Sequence, residues 1–336
     1  MRGTALILSI LLAGTPVPAA RTLDIYFIDV EGGQATLIVT PAGESLLVDA
    51  GYGGRVGTRD ALRIADAARD AGVDRIDYLL ITHFHPDHVG GVPELAQRLP
   101  IGTFIDYGAP LGTDRRSTGG FRAYEPLRSL GRHIEARAGE QLPFKGLRAD
   151  VISAGGTLLP APLAGAGLRN PACVDLEDHP EDGTENYRSV GVLFRFGAFS
   201  FLNPGDLSGN TLTRLVCPAN LVGTASVYLV AHHGDYDTNV PALYAAIRPR
   251  VAIMNNGAIK GGSPVHFRTL SRAGLDDLWQ LHASRTEGVK NAPDDFIANL
   301  DDGTTSYWIK LTADENGSFR IVNSRTEFGR TYPAAK

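Results

Sequence analysis

The sequence predicts an α+β fold of the αββα sandwich kind, with two mixed β-sheets packed face to face and helices on the outside. Three observations carry that expectation. The chain opens on a run of short strands that reads as an antiparallel meander. Strands and helices then alternate, and neither an internal repeat nor a clear linker divides the 336 residues. Hydrophobic residues make up 43%, enough for a large core, and 39 Gly with 20 Pro suit strands and loops better than a helical bundle. Residues 21–336 are therefore expected to form a single domain, preceded by a leader over residues 1–20 and carrying an acidic insertion near 155–186.

The leader is the first element. Met1-Arg2 gives a short positive end, Ala5 to Ala13 an apolar run, and Val17-Pro18-Ala19-Ala20 a small-residue cleavage region. This is the pattern of a secretory signal peptide. The apolar run is about half of what a transmembrane helix needs, and no later segment is long and apolar enough to span a membrane. The chain is thus expected to be exported, periplasmic or secreted. Loss of Arg2 with the leader takes the formal charge from −5 to −6. A mildly acidic chain has no general attraction for nucleic acid.

Leu23 to Ile28, Ala35 to Val39 and Ser45 to Val48 read as three strands, with Gly32-Gly33 and Pro41-Ala42-Gly43 as turns. Residues 57–71 read as a helix, with Leu62, Ile64, Ala65, Ala68 and Ala71 near one face and Gly72 ending it. Ile76 to Thr82 is a buried strand, Val92 to Leu99 a helix stopped by Pro100, and Ile101 to Asp106 another strand. Gly155-Gly156 opens the insertion, and the run from Asp175 to Asp182 makes it acidic. Strands follow at Val190 to Phe196 and Phe199 to Leu202, a helix at Leu207 to Leu215, and a strand at Ala225 to Val230. The last strands fall near Val251 to Met254, Leu278 to Leu281 and Ser306 to Leu311, with Trp279 in the core. The two cysteines, Cys173 and Cys217, behind a signal peptide predict one disulfide, the alternative being two buried thiols.

The segment Thr82-His83-Phe84-His85-Pro86-Asp87-His88 follows a strand and precedes a helix. Imidazoles at i and i+2 of an extended segment project the same way, so His83 and His85 can reach one cation. Asp87 and His88, past the turn at Pro86, can hold a second beside it. Imidazole nitrogen with carboxylate oxygen suits Zn2+ and similar divalent ions, with Mn2+ as the alternative. A lone loop histidine is ordinarily a surface residue. Three histidines and an aspartate in six residues at a strand end have no such structural explanation.

At this point the chain resembles the metallo-β-lactamase superfamily, whose motif is His-x-His-x-Asp-His. Val48-Asp49-Ala50-Gly51 is similar to its Asp-x-Gly element, and the resemblance implies that Asp49 orients a metal-ligating histidine. Asn203-Pro204-Gly205-Asp206 stands where a carboxylate bridges two metals in many members. Val230-Ala231-His232-His233-Gly234 matches the last ligand motif, with His233 the favoured ligand, His232 beside it, and the reverse assignment open. One motif departs: the turn that often carries a third histidine for the first metal reads Thr184-Glu185-Asn186-Tyr187-Arg188-Ser189 here. Glu185, Asn186 or His179 could fill that place. The Asn-x-x-Ser turn, Gly-Asp and His-His-Gly together look most like the ComEC-type branch, the extracellular hydrolase domains of DNA-uptake proteins. His85 stands where that branch often has Asp, and no membrane channel region accompanies the domain.

The resemblance implies a metal-dependent hydrolase. Two adjacent cations lower the pKa of a bridging water to give hydroxide near neutral pH; Asp87 would hold and orient it, and Asp206 would bridge the metals. The loop Asn255 to Pro264 follows a strand and precedes a helix; its backbone N–H groups, with Lys260, could bind a carboxylate or phosphate, or it could be an ordinary turn. His266 and His282 are candidate proton donors or pocket walls, while His232 is counted with Asp87 and Lys260 among the candidate catalytic residues. Three readings compete: a phosphoesterase or nuclease acting on an anionic substrate, a lactonase- or β-lactamase-type hydrolase of small esters or amides, and a non-catalytic metal-binding protein. The acidic insertion and the net charge count against a polyanion, so a small-molecule substrate is expected.

Overall fold

The computed structural model describes residues 22–174, 176, 179, 181–301 and 306–335. The leader lies outside the described residues, as do four positions of the acidic insertion.

The expected meander forms from β1 (Leu23–Ile28), β2 (Thr36–Val39) and β3 (Ser45–Val48). Leu23, Ile25, Tyr26, Phe27 and Ile28 are all buried, so β1 is covered on both faces. One cover is α1 (Arg59–Asp70), whose Ala61, Ile64, Ala67 and Ala68 are buried. Gly72, at φ +68°, ends it in the left-handed turn that glycine favours. Next, β4 (Ile76–Leu80), β5 (Ile101–Asp106) and β6 (Arg132–Glu135) extend β3 in parallel. Between them lie α2 (Pro86–Val89), α3 (Val92–Leu95) and α4 (Arg115–Arg128).

The second sheet begins antiparallel with β7 (Gln141–Leu142), β8 (Arg148–Ala154), β9 (Thr157–Leu158), β10 (Gly191–Phe196) and β11 (Phe199–Asn203). It turns parallel through β12 (Val227–Leu229), β13 (Val251–Met254), β14 (Asp277–His282) and β15 (Ile297–Asn299). Helices α5 (Gly209–Val216), α6 (Pro241–Ile247) and α7 (Pro264–Leu270) pack on its outer face through Leu212, Leu215, Leu243 and Ile247. The chain then returns to the first sheet, where β16 (Trp308–Ala313) pairs with β1, and β17 (Phe319–Asn323) and β18 (Gly329–Tyr332) finish that edge. Two mixed sheets thus face each other with helices outside. Phe27 meets Phe201 edge-on at 5.5 Å across the middle, and Phe199 meets Phe319 in the same way. Trp279 is fully buried there and donates to the Tyr332 hydroxyl at 3.0 Å.

One expectation needs correction, and several elements lie beyond those expected. The helix expected over 92–99 stops at Leu95. Helix α4 is not among the expected elements: its apolar face is short, with Tyr124 buried and Phe121 and Leu127 partly buried against the core, and it contains Gly119, Gly120 and Pro126. Tertiary contact holds it, since Tyr124 donates to Asp106 at 2.7 Å and Arg128 donates to Asp106 at 3.1 Å. Strands β17 and β18 lie beyond the last strand expected. Cys173 and Cys217 are disulfide-bonded, with their Cα atoms 5.7 Å apart, and join the insertion to the end of α5.

Candidate metal centre

Parallel neighbours point the same way, so the loops after β3 and β4, and those after β11 and β12, collect at one edge. Backbone pairing continues past β4, with the Ile81 amide donating to Ile105 at 2.9 Å, and delivers His83 to that edge. His85 stays extended (φ −67°, ψ 151°), and Pro86 then starts α2. His83 Nε2 and His85 Nδ1 consequently lie 3.0 Å apart, while Asp87 and His88 sit in the following turn. Gly120 lets α4 approach from behind: a Cβ there would lie 2.5 Å from the Phe84 carbonyl oxygen.

Asp49 follows β3 in the left-handed region, at φ +59°. Its carboxylate accepts from the Thr82 amide at 2.8 Å and the Thr82 hydroxyl at 2.7 Å, and lies 2.8 Å from His88 Nδ1. This fixes the ring of His88 and leaves Nε2 to face the edge. The second sheet supplies the rest. Asp206 follows β11, with its amide donating to Ser189 Oγ at 3.1 Å. His232 and His233 follow β12, both left-handed at φ 45° and 55°. Such a conformation costs roughly 1–3 kcal/mol per residue. It is clamped by the Gly262 and Ser263 amides, which donate to the His233 and Gly234 carbonyls at 2.8 Å.

Four ligand-type atoms, from Asp87, His88, Asp206 and His233, lie within 4.8 Å of one another, all on buried residues. His88 Nε2 is 3.1 Å from Asp206 Oδ2 and 3.4 Å from Asp87 Oδ2. His233 Nε2 lies 3.3 Å from an oxygen of each carboxylate, and neither of its ring nitrogens makes a hydrogen bond despite complete burial. That orphaned nitrogen between two carboxylates fits a divalent cation. His83 Nε2 is 3.9 Å from Asp206 Oδ2. His232 stands apart: Nδ1 lies 3.0 Å from Asp237 Oδ1, and Nε2 lies 3.8 Å from Asp206 Oδ2.

Burial pushes the Asp87 and Asp206 carboxyls up. Lys260 and His88 outweigh it at Asp87, and His88, His233 and His232 at Asp206, holding both well below the usual carboxylate range. Burial and the neighbouring His88 keep His83 neutral, the form that can donate a lone pair. Burial opposes charge on His232, but Asp206 and Asp237 bring its pKa up to about 9.

The remaining candidates divide. Lys260 reaches the site, contacting Asp87 and donating to the Tyr52 hydroxyl at 3.1 Å. Asn186 also reaches it, with Nδ2 at 3.4 Å from His232 Nε2. Glu185 does not: the Tyr107 hydroxyl and the Leu111 amide (2.8 Å) donate to its two oxygens, turning it away. His179 packs against Gly209 instead of the cleft. His266 is bound to the Tyr244 hydroxyl at 2.6 Å, and the ring nitrogens of His282 lie 3.0 and 2.9 Å from the carbonyls of Ala283 and Asp301. Sequence reasoning missed Asp114, Tyr52 and Asp237. Asp114 caps α4 and lies 2.9 Å from His85 Nε2. Each is a single polar residue on a loop or a short 3-10 turn, with no local pattern to mark it.

These groups open into a cleft of about 510 Å3, lined among others by His85, Asp87, Arg116, Asn186, Asp206 and Lys260. A larger groove of about 750 Å3 runs along α1 and β16 but includes no histidine.

Residues 28–162 match the model of the metallo-beta-lactamase superfamily. The chain carries a domain of that superfamily, whose members are mostly metal-dependent hydrolases and bind divalent metals. Recombination protein 2 of Haemophilus influenzae is 24% identical over 251 residues, 75% of this chain and 26% of the relative. The chain thus spans about a quarter of that relative's length. Among solved structures, Igni18, a metallo hydrolase from Ignicoccus hospitalis, is 16% identical with a TM-score of 0.45, covering 76% of this chain and 94% of its own. CmlA, a diiron beta-hydroxylase from Streptomyces venezuelae, is 18% identical with a TM-score of 0.40, covering 73% and 46%.

Proposed function

We propose that this chain is an exported metal-dependent hydrolase acting on a phosphoester or other small anionic substrate. The convergence of His83, His85, Asp87, His88, Asp206 and His233 on one cleft carries the reading. The residues fit a pair of divalent cations, Zn2+ or Mn2+. Bound there, such ions supply Lewis acidity and an activated water near neutral pH. The chain's own groups do the positioning. Asp49 orients His88. Lys260, at the cleft wall beside Asp87, is placed to meet a substrate oxyanion, and Arg116 lines the same cleft. His232 turns Nε2 to the cleft with Asp237 behind Nδ1, an arrangement suited to passing a proton to a leaving group.

The leader pattern and the Cys173–Cys217 disulfide support export, since disulfides persist in oxidising compartments. The name of the Haemophilus influenzae relative points to DNA handling. Asp114 and Asp235 in the cleft wall and the net charge of −5 favour a small anion over a polymer. Hydrolysis of a small ester or amide is the second reading, because Lys260 suits a substrate carboxylate equally well.

The test is turnover of bis-p-nitrophenyl phosphate, a lactone and a β-lactam by Zn2+- or Mn2+-loaded protein, with Asp206→Asn as the control. Phosphodiester turnover that the control loses by 100-fold or more is the expected outcome, on the order of the loss when one stabilising group is removed from a site. Turnover of the lactone or β-lactam alone selects the second reading. Absence of turnover with all three leaves the non-catalytic metal-binding reading.

A further inference from the structure

We propose that the cleft holds its two cations unequally: one tightly, by Asp87, His88, Asp206 and His233, and one exchangeably, by His83, His85 and the carboxamide oxygen of Asn186. The inference rests on the metal-binding reading given above. The first set contains two carboxylates and two imidazoles, with all four ligand atoms within 4.8 Å of one another. His88 is further backed by the buried carboxylate of Asp49 at 2.8 Å. Lys260 takes up part of the Asp87 charge, which narrows the advantage of this set without removing it, because Asp206 and the Asp49–His88 pair remain.

The second set is poorer. His83 Nε2 and His85 Nδ1, 3.0 Å apart, can share one cation. Their other nitrogens are taken: His83 Nδ1 lies 3.2 Å from the Thr82 hydroxyl and 3.4 Å from that of Ser189, and His85 Nε2 lies 2.9 Å from Asp114. Asp206 Oδ2, 3.9 Å from His83 Nε2, already belongs to the first set. Glu185, the carboxylate nearest in sequence, is turned to Tyr107 and the Leu111 amide.

Asn186 completes the second set. It begins a short 3-10 turn that leads to Ser189, is 5% exposed, and lines the cleft. Its Nδ2 faces His232 Nε2 at 3.4 Å, and its Oδ1 is buried with no hydrogen-bond partner. A buried carbonyl oxygen is seldom left unpaired, and an oxygen ligand to a divalent cation satisfies it. The second cation therefore meets two neutral imidazoles, one neutral amide and a share of Asp206. An extra carboxylate at about 4 Å in a partly screened site makes a difference on the order of 100-fold in affinity.

The experiment is a Zn2+ titration of the metal-free protein in competition with a chromophoric chelator, with zinc per chain measured after dialysis. About one Zn2+ per chain should survive dialysis, and a second should bind roughly 100-fold more weakly. Asn186→Asp should tighten the second site about ten-fold or more, and Asn186→Ala should weaken it, both leaving the first unchanged. Two sites of equal affinity, or a second site that neither variant moves, would overturn the inference. Failure to bind any Zn2+ would overturn the metal-binding reading itself, and this inference with it.

Discussion

Beyond the end of β1, Asp29 and Glu31 lie against Arg63 and His282; beyond β4 and β11, Asp87 and Asp206 lie against His88, His233 and Lys260. Each region gathers carboxylates and histidine at metal-like spacing, and burial pushes the carboxyls of both up, yet their neighbours leave them on opposite sides of the usual range. Burial, and then the neighbouring Glu31, push the Asp29 carboxyl up to about 7 against the pull of Arg63 and His282. Asp87 and Asp206 stay ionised. The Arg63 side chain is 5% exposed and is bonded at 2.9 Å both to Glu31 and to the Asp29 carbonyl, so its cation is locked in place. Lys260 is 35% exposed at the cleft wall and can give way. The first group closes its charge with a built-in guanidinium and a proton. The second keeps ionised carboxylates turned to a common point beside open space. Spacing alone does not separate these two groups; the exposure of the built-in cation and the cleft beside it do.

The largest effect should come from Arg63→Met, which leaves the buried Asp29 and the partly buried Glu31 without their cation. Breaking a buried pair in this way costs roughly 3–5 kcal/mol. Urea unfolding should show the same loss with and without Zn2+. A loss confined to the metal-loaded protein would mean that the two groups are coupled and would break the contrast. Chelation comes next. Zinc held at about 1,000 times its Kd should stabilise the wild type by about 4 kcal/mol. The gain should shrink sharply in Asp206→Asn and persist in Asp29→Asn. If both variants lost it equally, the Asp29 group would be part of the metal centre.

A smaller effect concerns pH. The folded-state pKa of Asp29 is raised above the unfolded value, so its contribution to stability is fully present below the unfolded pKa, near 4, and is lost as pH rises through about 7. The slope is at most about 1.4 kcal/mol per pH unit. Glu31, Arg63 and His282 face this carboxyl and share its field. Metal-free wild type should therefore lose stability between about pH 5 and 7 relative to Asp29→Asn, by no more than about 3 kcal/mol. Parallel curves for the two proteins would show that Asp29 is not the group taking the proton.

How much of this was legible in the sequence follows from how each residue is placed. The His83–His88 cluster needs only a strand end and a proline turn, so one short segment displays it. Asp49, Asp206 and His233 each follow a strand and precede or adjoin a glycine, which fixes their edge of the sandwich. The choice among Glu185, Asn186 and His179 was not legible, because the direction of a side chain on a 3-10 turn depends on what packs around it; here Tyr107 draws Glu185 away. Helix α4 has only the short apolar face of Phe121, Tyr124 and Leu127, and it depends also on Asp106 and the close approach of Gly120 to Phe84. In β17, by contrast, Phe319 and Ile321 are buried and Arg320 is exposed, an alternation present in the sequence beyond the last strand expected.

The smallest effect separates two histidine–carboxylate pairs within the centre. Asp49 is fully buried behind His88, whereas the Asp114 side chain is 18% exposed behind His85. Asp114 Oδ2 accepts from Ser117 Oγ at 2.7 Å and lies 2.9 Å from His85 Nε2; Oδ1 accepts from the Arg116 amide. A proton on Nε2 leaves the Nδ1 lone pair facing His83. Asn caps helices as well as Asp does, so Asp114→Asn should keep α4. With its oxygen kept on the Arg116 amide, the new NH2 group would face His85 Nε2 and favour the other tautomer, with the proton on Nδ1. The cation shared by His83 and His85 should then bind about ten-fold more weakly, while the one at Asp87, His88, Asp206 and His233 is unchanged. Nitrogen NMR of the labelled imidazole reports the tautomer directly. A variant with the wild-type tautomer and unaltered affinity at both positions would make Asp114 a helix cap and nothing more.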